Sequence, residues 1–193
     1  MTIDLSTGTG EASTPGLSLV NEGDIVNFVV VDIDHDVPVY KYGVEPKTPE
    51  LNYKGQPKKQ IRLTVLALKG NGVTGNMSDG YTPLEPDSVY SIYISGYAKW
   101  DPDQDKLGGS HISWSAAVEK LGALRVGTFG QWKHLGTLPS KGAEPRKNRK
   151  FSLRPAKPEE AEIVARCEAL HQQMKQGTPL PAGGPADEIE EPF

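Results

Sequence analysis

The sequence predicts an all-β domain, a small closed barrel of five strands with one helix between the third and the fourth. Three observations predict it. Hydrophobic residues make up 36% of the 193 and charged ones 24%, while 21 glycines and 16 prolines cut the chain into short pieces joined by turns, the balance of a β domain with long connections. Apolar and polar residues alternate at a period of two in several separate stretches, the mark of half-buried strands. A single stretch in the middle of the chain switches to helical spacing. A chain of this length holds one domain of ordinary size with an appendage.

Residues 1–18 are rich in Thr, Ser and Gly without periodicity and read as a flexible arm. The first strand starts after Gly23. Ile25, Val29, Val31 and Ile33 interleave with Val26, Phe28 and Val30, so the strand is apolar on both faces and is expected to be buried and strongly coiled. A long loop, 35–59, follows, in which Pro38, Pro46, Pro49 and Pro57 prevent pairing as a central strand. The second strand, 60–68, sets Ile61, Leu63, Val65 and Ala67 against Gln60, Arg62 and Thr64. After a turn-rich segment the third, 88–95, alternates Tyr90, Ile92 and Ile94 with Val89, Ser91 and Tyr93, so Arg62 and Tyr93 are expected to share the outer face.

An insert, 96–109, separates this strand from a helix over 110–121. There Trp114, Ala117, Val118 and Leu121 recur at three- and four-residue spacing, and Gly122 can end it. It is placed at the base of the barrel, with Trp114 and Phe28 in the core. The fourth strand is read at 124–130 and a short fifth at 150–154, with a loop between them carrying Trp132 and basic residues. A last helix over 158–175 opens with Pro158, Glu159, Glu160 and Glu162, suited to its positive end, and carries Ile163, Cys167, Leu170 and Met174 on one stripe. It can pack on the barrel or pair with a second copy in a homo-oligomer. The domain thus spans 19–155, the helix 156–176, and a linker with an acidic tip 177–193. Five strands with a helix between the third and fourth is the order of an oligonucleotide-binding (OB) fold, a Greek-key barrel whose second and third strands and flanking loops hold single strands.

The formal net charge is −4, but its distribution says more. Residues 133–154 carry seven Lys and Arg against Glu144 alone, whereas 177–193 carry Asp187, Glu188, Glu190 and Glu191 with no base. A basic body with an acidic tail is the asymmetry of a protein that holds phosphates with one part and basic partners with another. No apolar run of 18 residues and no secretory signal is present, so a cytoplasmic protein is expected. The lone Cys167 excludes an internal disulfide and a multi-cysteine zinc site.

Binding a single strand needs cations around the phosphates and flat rings for the bases. Tyr40, Tyr42 and Tyr53, interleaved with Lys54, Lys58 and Lys59, supply both in the first long loop. Trp132 with Lys133, followed by Arg146, Lys147, Arg149 and Lys150, supplies both before the last strand. Arg62 and Tyr93 complete the expected surface, and in an OB barrel the two loops flank one groove. Other motifs fail on context. Gly70 to Gly75 matches G-x-G-x-x-G, but Gly80 and Pro83 prevent a following helix. Residues 101–105 begin like a calcium loop, but Lys106 and Ile112 replace its glycine and its glutamate. Asp32, Asp34, His35 and Asp36 lie on a strand whose side chains alternate, so they are not expected to converge as a nuclease site. No metal, cofactor or catalytic group is expected, and an enzyme is not.

Two resemblances add to this. Gly23-Asp24-Ile25-Val26 leading into Val29-Val30-Val31-Asp32-Ile33-Asp34, then residues 55–65, the helix 116–122 and Leu124-Arg125-Val126-Gly127-Thr128-Phe129-Gly130 resemble the barrel of single-stranded DNA-binding proteins encoded by phages of actinobacteria. The end of the chain, Asp187-Glu188-Ile189-Glu190-Glu191-Pro192-Phe193, follows a Pro- and Gly-rich linker that cannot bury apolar surface. It resembles the acidic Pro-Phe tip of bacterial and phage single-stranded DNA-binding proteins, which recruits replication and repair enzymes. These resemblances imply binding of single-stranded DNA without sequence preference in replication, recombination or repair, with recruitment through the tip. An interaction or inhibitor protein that uses the barrel to hold another protein is the alternative.

Overall fold

The computed structural model describes residues 14–41, 44, 46–52, 54–76, 80–94, 110–138 and 146–177. In chain order the strands are β1 (Leu17–Ser18), β2 (Ile25–Pro38), β3 (Lys59–Gly70), β4 (Val73–Asn76), β5 (Gly80–Pro83), β6 (Val89–Ile94), β7 (Phe129–Leu138) and β8 (Arg146–Arg154). Helix α1 (Ser110–Leu121) lies between β6 and β7, and a short 3-10 turn (Pro158–Glu160) leads into α2 (Ala161–Lys175). Five strands form one sheet in the order β6-β3-β2-β7-β8, and β1-β4-β5 form a small second one. Neighbours in the large sheet are all antiparallel.

Strand β2 explains the layering. Val26, Phe28 and Val30 enter one apolar cluster with Leu63, Ile92, Trp114 and Phe151, while Val29 and Val31 enter a second with Leu66, Phe129, Cys167 and Leu170. The strand is apolar on both faces because helices cover both: α1 lies on the inner side and α2 on the outer. The stripe Ile163, Cys167, Leu170 and Met174 faces the sheet, with Cys167 and Leu170 buried; each such side chain contributes about 1.5–3 kcal/mol when fully removed from water. Burial pushes the Cys167 thiol up to about 11. Three register shifts in the β2–β3 ladder bend the long strand, as bulges do.

Two glycines permit close approach. Gly130 pairs with Phe28 across β2 and β7, and a Cβ there would run into the Phe28 ring, with Leu153 Cδ2 at 3.0 Å. Gly127 turns the chain into β7 with a φ of +82°, where a Cβ would sit 2.7 Å from Val164 Cγ1 of α2. That turn is held by the Gly127 N–H donating to the Val30 carbonyl and the Thr128 N–H donating to Arg125.

The structure corrects several sequence expectations. The fourth strand is Phe129–Leu138, not 124–130, and the fifth is Arg146–Arg154, longer than 150–154. Leu124 and Val126 mimic strand alternation because they flank the Gly127 turn and tuck into opposite clusters. Residues 14–18, expected to belong to a loose arm, are packed on the sheet: Leu17 is buried, and Gly16 bridges Ser91 of β6.

Closure by strand pairing is also absent among the described residues, since β6 and β8 end the sheet order. The interval between these edges is spanned otherwise. The Ser91 N–H donates to the Pro15 carbonyl, and Arg149 Nη2 donates to the Leu19 carbonyl at 3.1 Å. The Phe151 N–H of β8 donates to Ser113 Oγ of α1 at 2.7 Å. One N–H of each edge strand is thereby satisfied without a fifth ladder.

Candidate functional site

The expected binding residues divide into two sets at opposite ends of β2. At its Pro38 end, Pro38 pairs with Lys59, and the 39–58 connection folds back as a hydrogen-bonded excursion with bridges Tyr40–Pro49 and Leu51–Pro57. At its Ile25 end, Ile25 pairs with Lys133, and the β7–β8 hairpin runs on beyond it. The two loops expected to flank one groove therefore leave the sheet from opposite ends of its longest strand. The second set is not in a loop at all: Trp132 and Lys133 lie on β7, and Arg146, Lys147, Arg149 and Lys150 on β8.

At the Pro38 end the cations have acid partners. Lys58 Nζ is 2.8 Å from Glu50, Lys59 Nζ is 2.7 Å from Asp36, and an Arg62 Nη is 3.4 Å from Asp34. Lys59 accordingly holds the Asp36 carboxyl below its ordinary range. Arg62 and Tyr93 are direct partners across β3 and β6, on the outer face as expected, with Tyr93 exposed. Tyr40, like Val44 and Leu51, is exposed on the excursion. Lys54 is exposed at the Asn52 turn. Tyr42 and Tyr53 lie outside the described residues, as do the insert 96–109 and the tip 187–193.

Asp32, Asp34 and Asp36 diverge. Asp34 and Asp36 meet Arg62 and Lys59, and Asp32 Oδ1 lies 3.1 Å from His171 Nδ1 of α2, at ion-pair distance but off hydrogen-bond geometry. No three His, Cys, Asp or Glu side chains cluster among the described residues.

At the Ile25 end the two faces of the β7–β8 hairpin differ. Trp132, expected to stack on bases, is only 2% exposed: it stacks on Phe151 with centroids 5.6 Å apart and planes 8° from parallel, and Phe151 in turn meets Trp114 edge-on. It belongs to the core because residues 132 and 151 are cross-strand partners on the inner face. Arg149, expected as a free phosphate contact, is half-buried, its guanidinium carbon 5.3 Å from the Trp132 ring centroid. Burial lowers its affinity for a proton.

The outer face carries what the sequence left unresolved. Lys133 and Lys150 are exposed and directly opposite one another, and no acid partner for either is found among the described residues. Beside them a polar row crosses four strands, in which Lys69 pairs with Asn27, Asn27 with Gln131 and Gln131 with Ser152. Gln131 Nε2 donates to Asn27 Oδ1 at 3.0 Å. The row borders a groove of about 630 Å³ floored by Leu68, Phe129 and Ile163. Arg154 closes one side, clamped by two bonds of 2.6 and 2.7 Å to Glu160 and set over the Phe129 ring. Sequence reasoning missed Lys69, Asn27, Gln131 and Ser152; with β7 started at Phe129, a period of two assigns Gln131 and Lys133 to one face.

No protein-family model, curated protein or solved structure matches this chain.

Proposed function

We propose that this chain binds single-stranded DNA without sequence preference, as a non-enzymatic protein of replication, recombination or repair, and recruits partner enzymes through residues 187–193. The observation that carries this reading is the Lys133–Lys150 pair. Like charges set directly opposite on a sheet cost stability, and here they stand unrelieved beside a polar row and an open groove, an arrangement a polyanion would relieve. The strand order with α1 between β6 and β7 is that of an OB barrel, and the barrel, with the N-terminal segment and α1 completing its wall, is part of the proposal. So are the likeness to actinobacterial phage proteins and a place in the host cytoplasm. On this reading phosphates meet Lys133, Lys150 and Lys69 on the outer face at the Ile25 end of β2.

The test is fluorescence anisotropy of a labelled dT oligonucleotide at two salt concentrations. Salt-sensitive binding is expected; no micromolar binding at low salt removes the reading. Deleting 187–193 is expected to leave DNA affinity unchanged or raised while ending capture of partners, and capture that survives the deletion refutes the recruitment role.

One observation favours a second reading, an adaptor or inhibitor that binds another protein. Tyr40, Val44 and Leu51 are each exposed on the excursion, near which Lys58 and Lys59 already have acid partners. Such a protein would show no salt-dependent oligonucleotide binding.

A further inference from the structure

The inner face of the β7–β8 hairpin holds a polar cluster left without hydrogen-bond partners among the described residues. His134 is 4% exposed and neither of its ring nitrogens has a hydrogen-bond partner. The buried Trp132 Nε1 and the Arg149 Nε also lack one. The three belong together. His134 and Arg149 are direct partners in the ladder, Trp132 and Phe151 form the next pair along the same face, and the Arg149 guanidinium lies over the Trp132 ring.

Donors predominate in the cluster. The Trp indole and the Arg guanidinium only donate, and the His ring donates from one nitrogen and accepts on the other in either neutral tautomer, and donates from both when protonated. Among the described residues Arg149 meets one acceptor, the Leu19 carbonyl, on Nη2. No carboxylate lies at ion-pair distance from Arg149 among the described residues. Of the two nearby acids, Asp24 uses Oδ2 to accept the Val20 and Asn21 N–H groups, and the exposed Glu22 lies against the backbone of Gly136. A buried donor without a partner costs about 1–3 kcal/mol, and a buried charge without a counter-charge costs more. The group that removes these costs is an anion with several oxygens around one centre, able to accept from a guanidinium, an imidazole and an indole at once.

We infer that Trp132, His134 and Arg149 form an oxyanion site, fitted to a phosphate group, on the inner side of the hairpin and distinct from the outer lysine face. Arg149, half-buried, is the member that solvent and ligand reach. The phosphate has two possible sources, a free inorganic or nucleotide phosphate and the phosphodiester of a bound strand. The site does not depend on the proposed DNA binding: a chain indifferent to oligonucleotides would still hold a free phosphate here.

The experiment follows the His134 ring signals by two-dimensional nitrogen–proton NMR in the full chain at fixed pH and ionic strength. Sodium phosphate, a dT oligonucleotide and sodium chloride are each titrated. A saturable movement with phosphate identifies a free anion as a ligand; movement with the oligonucleotide alone identifies the phosphodiester. Movement with neither, or the same drift in chloride, overturns the site. Arg149→Gln is expected to abolish the saturable response and Lys147→Gln, an exposed cation on the same strand, to keep it. If Arg149→Gln does not fold, Arg149→Lys retains the charge without the fork and is expected to weaken the response; an unchanged response in that variant overturns the assignment.

Discussion

Gly130 shows how a single residue sets the geometry on which the rest depends. Its missing side chain is the space into which the fully buried Phe28 ring lies, so Gly130→Ala forces that ring or β7 to move. Over-packing of this kind typically costs about 1–3 kcal/mol, and urea unfolding should show it as a lower midpoint at unchanged slope; an unchanged midpoint would mean that the ring has room elsewhere. Residue-scale legibility was uneven for a physical reason. Phe28 and Trp114 were legible as core because their neighbours alternate or recur in register with them. Trp132 reads as a surface ring because the alternation visible in the sequence stops at residue 130, whereas the strand runs on to Leu138. Leu124 and Val126 alternate like a strand although they border the Gly127 turn. A period of two over a few residues cannot tell a strand from a turn whose flanks are both buried.

At the scale of elements, α2 was the most legible, since its stripe is periodic over about three turns and its acids sit where the helix dipole favours them. What the sequence did not show is how it is fastened. Arg154 at the end of β8 grips Glu160 with two short bonds, Glu160 also accepts from the Lys157 N–H at 2.8 Å, and Gly127 lets Val164 settle on the turn before β7. The bond from Arg154 depresses the Glu160 carboxyl to about 2. A carboxylate depressed in the folded state stabilises above its unfolded value and loses that contribution as pH falls toward its folded one. Unfolding midpoints should therefore fall between about pH 4.5 and pH 2, and Glu160→Gln should flatten that part of the profile by lowering the midpoint at neutral pH, the two proteins converging in acid. A profile identical in the two proteins would show that the clamp adds nothing, as many exposed ion pairs do. The element the sequence could not supply was closure: nothing in a strand pattern says that residues 14–20 and α1, rather than a ladder between β6 and β8, span the two edges.

Across the whole molecule, charge is sorted in a way that counting residues does not reveal. The sequence gives the same weight to Lys58, Lys59 and Arg62 as to Lys133, Lys147 and Lys150. In the structure the first three have carboxylates within 2.7–3.4 Å, and the β7–β8 lysines stand exposed. A cation already neutralised by an acid has few condensed counterions of DNA to replace, whereas an unpaired one replaces them in full. This distinguishes the two ends of β2 as partners for a polyanion. For a single strand each phosphate contact contributes about 0.7 to the slope of log affinity against log salt, so replacing both Lys133 and Lys150 by Gln should make that slope shallower by about 1.4. The same double replacement at Lys58 and Lys59 should lower affinity modestly through net charge but leave the slope nearly unchanged, because it removes no phosphate contact. Anisotropy titrations over a range of salt measure both. If the slope falls with the Lys58 and Lys59 pair and holds with the Lys133 and Lys150 pair, the strand follows the Pro38 end of β2, and the outer face of the hairpin is not where the phosphates lie.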